Sequence, residues 1–102
     1  MTSDELIARI EMWGRERGIL QNSTAHAQFM KTVSEIGELS DALVKGNSTG
    51  IKDGVGDVVV TLVLLCKLQG VSIRECIAHA YDEIKDRKGF LNSNGVFVKE
   101  ET

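Results

Sequence analysis

The segment from Val58 to Leu68, VVVTLVLLCKL, constrains the fold of this chain more than any other part of the sequence. It is apolar at nearly every position, yet its eleven residues, with Lys67 among them, fall well short of the roughly 20 that span a membrane. We therefore expect a buried helix and no membrane partner. The β-branched valines leave a strand open as an alternative, although the helical patterns on both sides favour a helix. A chain of 102 residues offers few neighbours for such a helix, so we expect a second subunit to cover part of it.

Helical periodicity and capping residues predict four helices in a sequence without proline. The expected helices run from Thr2 or Ser3 to about Gly18, from Ser23 or Thr24 to about Lys45, from about Ile51 to Leu68, and from Ser72 to an end within the basic stretch Lys85 to Gly89. We expect a loop over Ile19 to Ser23 and a turn over Gly46 to Gly50. The sequence therefore predicts an all-α fold, a four-helix bundle, as one domain over residues 1–102.

Apolar residues at helical spacing indicate which helix faces point into the core. They are Leu6, Ile7, Ile10 and Trp13 in the first helix, Phe29, Val33, Ile36 and Leu43 in the second, and Ile73, Ile77, Ala80 and Ile84 in the fourth. In the tail, residues 89–102, an Asn94-Gly95 turn separates two short apolar runs. The tail is expected to form a short β-hairpin or an arm that contacts a partner.

Charge and cysteine usage exclude several classes of function. Twelve basic and 15 acidic residues give a net charge of −3, which provides no basic field for a nucleic-acid duplex. Cys66 and Cys76 lie in apolar helical patterns without CxxC pairing, so we expect two buried, reduced thiols. The N-terminus lacks the pattern of a secretory signal. We therefore expect a cytoplasmic protein.

Acidic residues on two consecutive helices are the candidates for a functional site. Glu35 and Glu38 are three residues apart on the second helix, roughly 5 to 6 Å from each other at Cβ, and they border its apolar stripe. Asp53 and Asp57 open the third helix. Antiparallel packing of the two helices would bring Asp57 towards the glutamates. Such a carboxylate cluster suits Mg²⁺, which prefers carboxylate and water oxygens.

Each acidic residue also has a simpler interpretation. Glutamates three residues apart on a helix are commonly a solvated face. Asp53 is explained equally well as a favourable charge at a helix N-terminus. Asp57 is the hardest to explain in this way, because it directly precedes the apolar run, where a buried charge without a partner is costly.

The stretches QFMKTVSEIGELSDAL and KDGVGDVVVTLVLL resemble the MazG-like group of all-α nucleoside triphosphate pyrophosphatases, whose pattern is ExxE on one helix and ExxD on the next. The resemblance extends from about Trp13 to Lys88. Five residues fall on family positions: Gln28, Lys31, Glu35, Glu38 and Asp57. The acid expected three residues before Asp57 is missing, because Gly54 stands there with Asp53 one place earlier.

The resemblance implies hydrolysis of a nucleoside triphosphate between the α and β phosphates, with Mg²⁺ as cofactor and Mn²⁺ as a substitute. It implies a homodimer or homotetramer with the active site near a subunit interface, in the host cytoplasm if the gene belongs to a phage. The implied metal ligands are Glu35, Glu38, Asp57 and Asp53. Glu38 is the expected proton acceptor and Lys31 the second catalytic residue.

The expected substrate-binding residues are Trp13, Gln28, Lys31, Tyr81, Lys85, Arg87 and Lys88. The basic residues among them would hold the outgoing pyrophosphate, and the aromatic ones would contact base or sugar. Cations in the last turn of a helix also stabilise its dipole, and a tryptophan at helical spacing is often part of a core.

Gly54 leaves three hypotheses open. Asp53 substitutes for the missing acid, the site works with three carboxylates, or the chain is a catalytically weakened oligomerisation or regulatory module. A related activity, phosphoribosyl-ATP pyrophosphohydrolysis, shares the fold type and the acidic helix pairs and is a further alternative.

Overall fold

The computed structural model describes residues 1–101, and over that range the chain forms five α-helices and a C-terminal hairpin. The helices are α1 (Ser3–Glu16), α2 (Ile19–Asn22), α3 (Ala25–Lys45), α4 (Ser48–Leu68) and α5 (Ile73–Ile84). Strands β1 (Gly89–Leu91) and β2 (Phe97–Lys99) pair antiparallel, with Phe90 opposite Val98. The predicted helical architecture and the hairpin are confirmed. Thr102, the end of the predicted domain, lies outside the described residues.

Side-chain caps explain where the helices begin. Each of three capping hydroxyls accepts a hydrogen bond from a backbone N–H in the first turn of its helix: Thr2 from Glu5, Thr24 from Ala27, and Ser72 from Glu75. Each cap satisfies a backbone donor that the first turn of a helix leaves without a partner. These three starts therefore follow from the local sequence, as predicted.

Several element boundaries differ from the predicted ones. The expected loop after Gly18 contains a one-turn helix, α2, and α1 already ends at Glu16. Helix α4 begins at Ser48 and not near Ile51, because the side chain of Asn47 accepts a hydrogen bond from the Gly50 N–H at 3.0 Å. Helix α5 ends at Ile84, so the basic stretch up to Gly89 lies at and beyond its C-cap. The alternative of a strand in the valine-rich segment was wrong, since α4 continues through it.

The core is built around α4. Helices α3 and α4 form an antiparallel hairpin joined by Gly46 and Asn47, and α1, α2 and α5 pack on α4. Val63 and Leu64 are the most deeply buried side chains, and the core continues through Cys66 and Ile73. Among the described helices, none is by itself long and apolar enough to cross a bilayer; only α4 and α5 together, bent by 103°, reach that length and composition.

Several side chains predicted to face the core are exposed. The four apolar residues of the second predicted helix form an exposed surface that we call the α3 stripe: Phe29, Val33, Ile36 and Leu43. Ile77, Ala80 and Ile84 of α5 are also exposed, and only Ile73 is buried. In α1, Ile7 and Ile10 are partly buried, whereas Leu6 and Trp13 are exposed. The prediction failed on α3 because that helix turns a different face, one that includes Thr32, Glu35 and Leu39, towards α4.

The cysteine prediction holds for one residue and fails for the other. Cys66 and Cys76 are both free thiols, with their Sγ atoms 3.8 Å apart. Cys66 is buried, and burial together with its contact to Cys76 raises the pKa of its thiol to about 11. Cys76 is exposed.

Candidate active site

Three carboxylates meet between α3 and α4. One carboxylate oxygen each from Glu35, Glu38 and Asp57 lies within 4.8 Å of the other two. Glu35 and Glu38 share a face of α3 because they are three residues apart, and the antiparallel hairpin places Asp57 opposite them. The expected convergence of Asp57 on the two glutamates is therefore what the hairpin produces.

Glu35 is the buried member of this carboxylate cluster. Its residue is 6% exposed, whereas Glu38 and Asp57 are exposed, so the expectation that Asp57 carries the buried charge was wrong. Oε1 of Glu35 accepts a hydrogen bond from Nζ of Lys31 at 3.0 Å. Within residues 1–101, Oε2 of Glu35 is a buried side-chain oxygen with no hydrogen-bond partner. An oxygen buried in this way is costly unless a cation or a donor contacts it.

The cluster separates the proton affinities of its members. The hydrogen bond from Lys31 lowers the pKa of Glu35, even though burial opposes the shift. Hydrogen bonding to Glu35 and repulsion from its charge raise the pKa of Glu38. The pKa of Lys31 is raised in turn, chiefly by its bond to Glu35. The result is one carboxylate held ionised beside another that holds its proton more readily.

The donor set fits a divalent ion. Carboxylate oxygens are the ligands of hard cations such as Mg²⁺ and Mn²⁺. Three of them lie close enough to share one ion, and the unpartnered oxygen of Glu35 belongs to the cluster. A cation there would also relieve the repulsion that raises the pKa of Glu38. These residues could therefore hold a metal ion.

Two concave surfaces adjoin the cluster and share Asp57. One, of about 430 Å³, combines polar and apolar side chains from α1 to α4: Trp13, Ile19, Gln28, Lys31, Glu35, Asp57, Val60, Thr61 and Leu64. The other, of about 400 Å³, is more polar and contains Glu38, Asp41, Lys45, Asp53 and Asp57 among its lining residues. The carboxylates thus lie between a partly apolar cavity and an acidic one.

The candidate residues from α1, α3 and α4 all lie near the carboxylate cluster. Trp13, Gln28 and Lys31 line the partly apolar cavity. Asp53 lies in the acidic cavity with Asp41 and is outside the carboxylate cluster formed by the described residues. Trp13 is 42% exposed, which leaves its ring accessible to a ligand.

The candidate residues from α5 and the segment after it lie elsewhere. Arg87 and Lys88 line an open surface of about 640 Å³ beyond the end of α5, together with acidic residues of the tail. Lys85 forms an ion pair with Asp82 at 3.4 Å, and Tyr81 is exposed on α5. Over the described residues, α5 packs on α4 and makes no contact with α3. A single chain therefore does not bring these four residues to the carboxylates.

Two buried threonines near the site were missed in the sequence. Oγ1 of Thr32 donates to Oγ1 of Thr61 at 2.8 Å, and the Thr61 hydroxyl donates to the Val58 carbonyl at 2.7 Å. Thr61 interrupts an otherwise apolar run, and Thr32 lies three residues before Glu35. Hydroxyls at these positions were a signal for a polar contact between the two helices.

Comparisons with known proteins bear on this site. The family model of the MazG nucleotide pyrophosphohydrolase domain matches residues 23–90. A curated relative, an uncharacterized 18.2 kDa protein from the rep-hol intergenic region of Haemophilus phage HP1, is 40% identical over 63 residues. That match covers 62% of this chain and 39% of the relative, so the chain spans well under half of the relative's length.

A solved structure shares the fold. It is the cyanophage S-2L MazG-like pyrophosphohydrolase bound to dGDP and three catalytic Mn²⁺ ions per active site. The TM-score is 0.72 at 22% sequence identity, and the match covers 100% of this chain and 96% of the cyanophage chain. The family model alone spans more than half of the sequence and includes every member of the carboxylate cluster. The chain belongs to the MazG nucleotide pyrophosphohydrolase domain family.

Proposed function

We propose that this protein hydrolyses nucleoside triphosphates between the α and β phosphates, releasing the monophosphate and pyrophosphate. Mg²⁺ is the proposed ion and Mn²⁺ a substitute. The observation that carries the proposal is the cluster of Glu35, Glu38 and Asp57, in which a buried carboxylate oxygen has no partner among the described residues. Family membership supports the reaction class, and the nucleotide and Mn²⁺ ions of the cyanophage protein support the ligand class.

The side chains have distinct proposed roles. Glu35, Glu38 and Asp57 hold the ion, which when bound supplies positive charge for the phosphate oxygens and acidifies water. Lys31 keeps Glu35 ionised. Glu38 is exposed at the edge of the cluster, so its carboxylate can reach the attacking water, and it is the proposed proton acceptor. Lys31 also lies at the cavity wall, where its ammonium can contact a phosphate.

The partly apolar cavity is the proposed site for the nucleoside. Its volume of about 430 Å³ and its mixture of Trp13, Gln28 and apolar residues suit a base that stacks on one side and hydrogen-bonds on another. The acidic cavity on the other side of the cluster is unsuited to a base or a bare phosphate. An enzyme that converts nucleoside triphosphates to monophosphates would adjust or clean the nucleotide pool.

The surface of one chain supports a homodimer. Its radius of gyration is 16.1 Å, whereas a compact domain of this length has about 13 Å. It exposes 7705 Å², whereas a compact monomer of its mass exposes about 5,700 Å². Two chains that each bury the excess, about 2,000 Å², would form an interface in the range of obligate dimers. We place a second copy on the α3 stripe, with the hairpin as a further contact and a tetramer as a pair of such dimers.

A dimer also gives the end of α5 a role. Arg87 and Lys88 line a separate surface beyond the end of α5, and over the described residues α5 contacts α4 but not α3. We propose that they, with Lys85 and Tyr81, act on the nucleotide in the site of a second copy. Two sites would then lie near the subunit interface.

The test is an assay of purified protein against the common ribo- and deoxynucleoside triphosphates, modified triphosphates and phosphoribosyl-ATP, with Mg²⁺ or Mn²⁺. Chromatography should show the monophosphate and pyrophosphate in equal amounts. D41N is the control variant and should keep the wild-type activity, because Asp41 lies in the acidic cavity outside the carboxylate cluster. A folded, metal-loaded protein that turns over none of these compounds would refute the proposal and leave a non-catalytic helical module.

A further inference from the structure

Gly54 is a buried residue of α4 that faces α3 beside the carboxylates. It lies three residues before Asp57 on α4, and it faces Leu39, the residue that follows Glu38 on α3. A Cβ atom at position 54 would lie 3.0 Å from both Cβ and Cδ1 of Leu39 and 3.1 Å from its Cα. Backbone as well as side chain therefore occupies the space, and the contact cannot be relieved by a rotamer change alone.

A second contact between the same helices lies on the other side of the carboxylates. The hydroxyls of Thr32 and Thr61 are 2.8 Å apart and buried. Along the antiparallel hairpin the order of opposed residues is Thr32 with Thr61, Glu35 with Asp57, and Leu39 with Gly54. The carboxylates thus lie between a hydrogen bond that fixes the register of the helices and a glycine contact that fixes their separation.

We propose that Gly54 is a positioning residue for the metal ligands: its lack of a side chain lets α4 approach Leu39, and this approach brings Asp57 to Glu35 and Glu38. The inference rests on the proposed metal site. Glycine in the interior of a helix destabilises it relative to alanine, so its presence here needs a packing reason. The close approach to Leu39 supplies one.

The MazG-like pattern has an acid at the position that Gly54 occupies. Position 54 lacks the expected acid, yet its side-chain direction leads into Leu39 and not into open space. The three remaining carboxylates form the cluster without Asp53. With Gly54 the site therefore has no fourth carboxylate at this position, but the two helices that carry the other three can lie closer together.

The experiment compares G54A with G56A by Mn²⁺ titration, using electron paramagnetic resonance to count free ion. Both variants add one methyl group to α4, but among the described residues a Cβ at Gly56 would have no heavy atom within 4 Å apart from its own stretch of helix. G54A should bind Mn²⁺ about tenfold more weakly, as expected when ligand orientation is disturbed, and G56A should bind like the wild type. Circular dichroism should show the same helix content in all three proteins.

Two further variants keep the test decisive. L39I places a branch at Cβ beside Gly54, so it crowds the same contact from α3 and should also weaken Mn²⁺ binding even if G54A does not fold. G54E should bind no more tightly than the wild type. Wild-type affinity in both G54A and L39I, or tighter binding in G54E, would overturn the inference.

The failure of the proposed function has a different signature. If the wild type binds Mn²⁺ and hydrolyses no triphosphate, only the reaction is refuted, and the comparison of G54A with G56A still stands. A wild type that binds no Mn²⁺ refutes the metal site and the role of Gly54 together. In an active enzyme, saturating Mn²⁺ should restore KM in G54A more fully than kcat, because the ligands remain misplaced after the ion has bound.

Discussion

Nζ of Lys31 lies 3.0 Å from Oε1 of Glu35, one helical turn further along α3. This ion pair contacts only one oxygen of a buried carboxylate, and Oε2 remains without a partner within residues 1–101. The ion pair therefore keeps Glu35 ionised and leaves its Oε2 available to a cation. It also lowers the pKa of Glu35, whereas the pKa of Glu38 is raised, so Glu35 loses its proton before Glu38 as the pH rises.

Removing Lys31 should shift the pH dependence of metal binding. Lys31 lowers the pKa of Glu35, so Glu35 stays ionised as the pH falls and protons compete poorly with the ion. In K31M the pKa of Glu35 rises, and Mn²⁺ binding should be lost at a higher pH than in the wild type. Titrations of Mn²⁺ at several pH values measure this shift. K52M removes an exposed charge on α4 outside the site and should leave the profile in place.

Replacing Glu38 by glutamine should lower kcat by about 10²- to 10⁴-fold, the usual contribution of a general base. The same change should stabilise the metal-free protein at neutral pH. Glu35 raises the pKa of Glu38, so ionised Glu38 is disfavoured in the folded state and its repulsion destabilises the fold as the pH rises through that pKa. Thermal unfolding in a chelator measures this effect. An E38Q protein with wild-type kcat would exclude Glu38 as the base.

Divalent ions should stabilise the wild type against unfolding. At 100 times the dissociation constant, one bound ion contributes about 2.7 kcal/mol, which raises the Tm by about 10 °C in a domain of this size. D57N removes one of the three carboxylates and should abolish most of that increase. Protein concentration is held constant because the proposed assembly also affects the Tm. Equal stabilisation of both proteins would place the ion elsewhere.

A charge in the α3 stripe should dissociate the dimer. Ile36 is 51% exposed in one chain, so I36D places a carboxylate in the proposed interface, where it loses its water. Light scattering at micromolar concentration should report a dimer for the wild type and a monomer for I36D. M12D is the matched control, because Met12 on α1 is also 51% exposed and lies outside the stripe. A monomeric wild type would contradict the proposed assembly.

Mixed dimers should show whether the two chains share each site. E38Q lacks the proposed base and R87A/K88A lacks basic residues beyond α5, so each homodimer should be weakly active. If α5 contributes to the partner's site, each heterodimer has one intact site and one site with both changes. A random mixture contains one half heterodimers. About a quarter of the wild-type activity should therefore return. Unfolding and refolding the two variants together forms the mixture. No recovery would mean that each chain completes its own site.

The helices and the carboxylates could be predicted from local chemistry. Thr2, Thr24 and Ser72 cap helices because a hydroxyl satisfies a backbone donor within its own turn, and this needs no distant residue. Glu35 and Glu38 share a helix face because they are three residues apart, and this too depends only on local sequence. The position of Asp57 opposite them followed from a short connection between two long helices.

The tertiary structure alone decided which face of α3 lies against α4. Periodicity marked the α3 stripe as apolar but could not distinguish a core from an interface, because both exclude water. Burial of Glu35 and exposure of Asp57 depend on which faces of the two helices meet, and the Gly54–Leu39 contact and the Thr32–Thr61 hydrogen bond lie between those faces. The distance of Lys85, Arg87 and Lys88 from the carboxylates likewise follows from the packing of α5 on α4. Local sequence determined the elements and the ligand chemistry, whereas contacts between residues far apart in the chain determined their orientation.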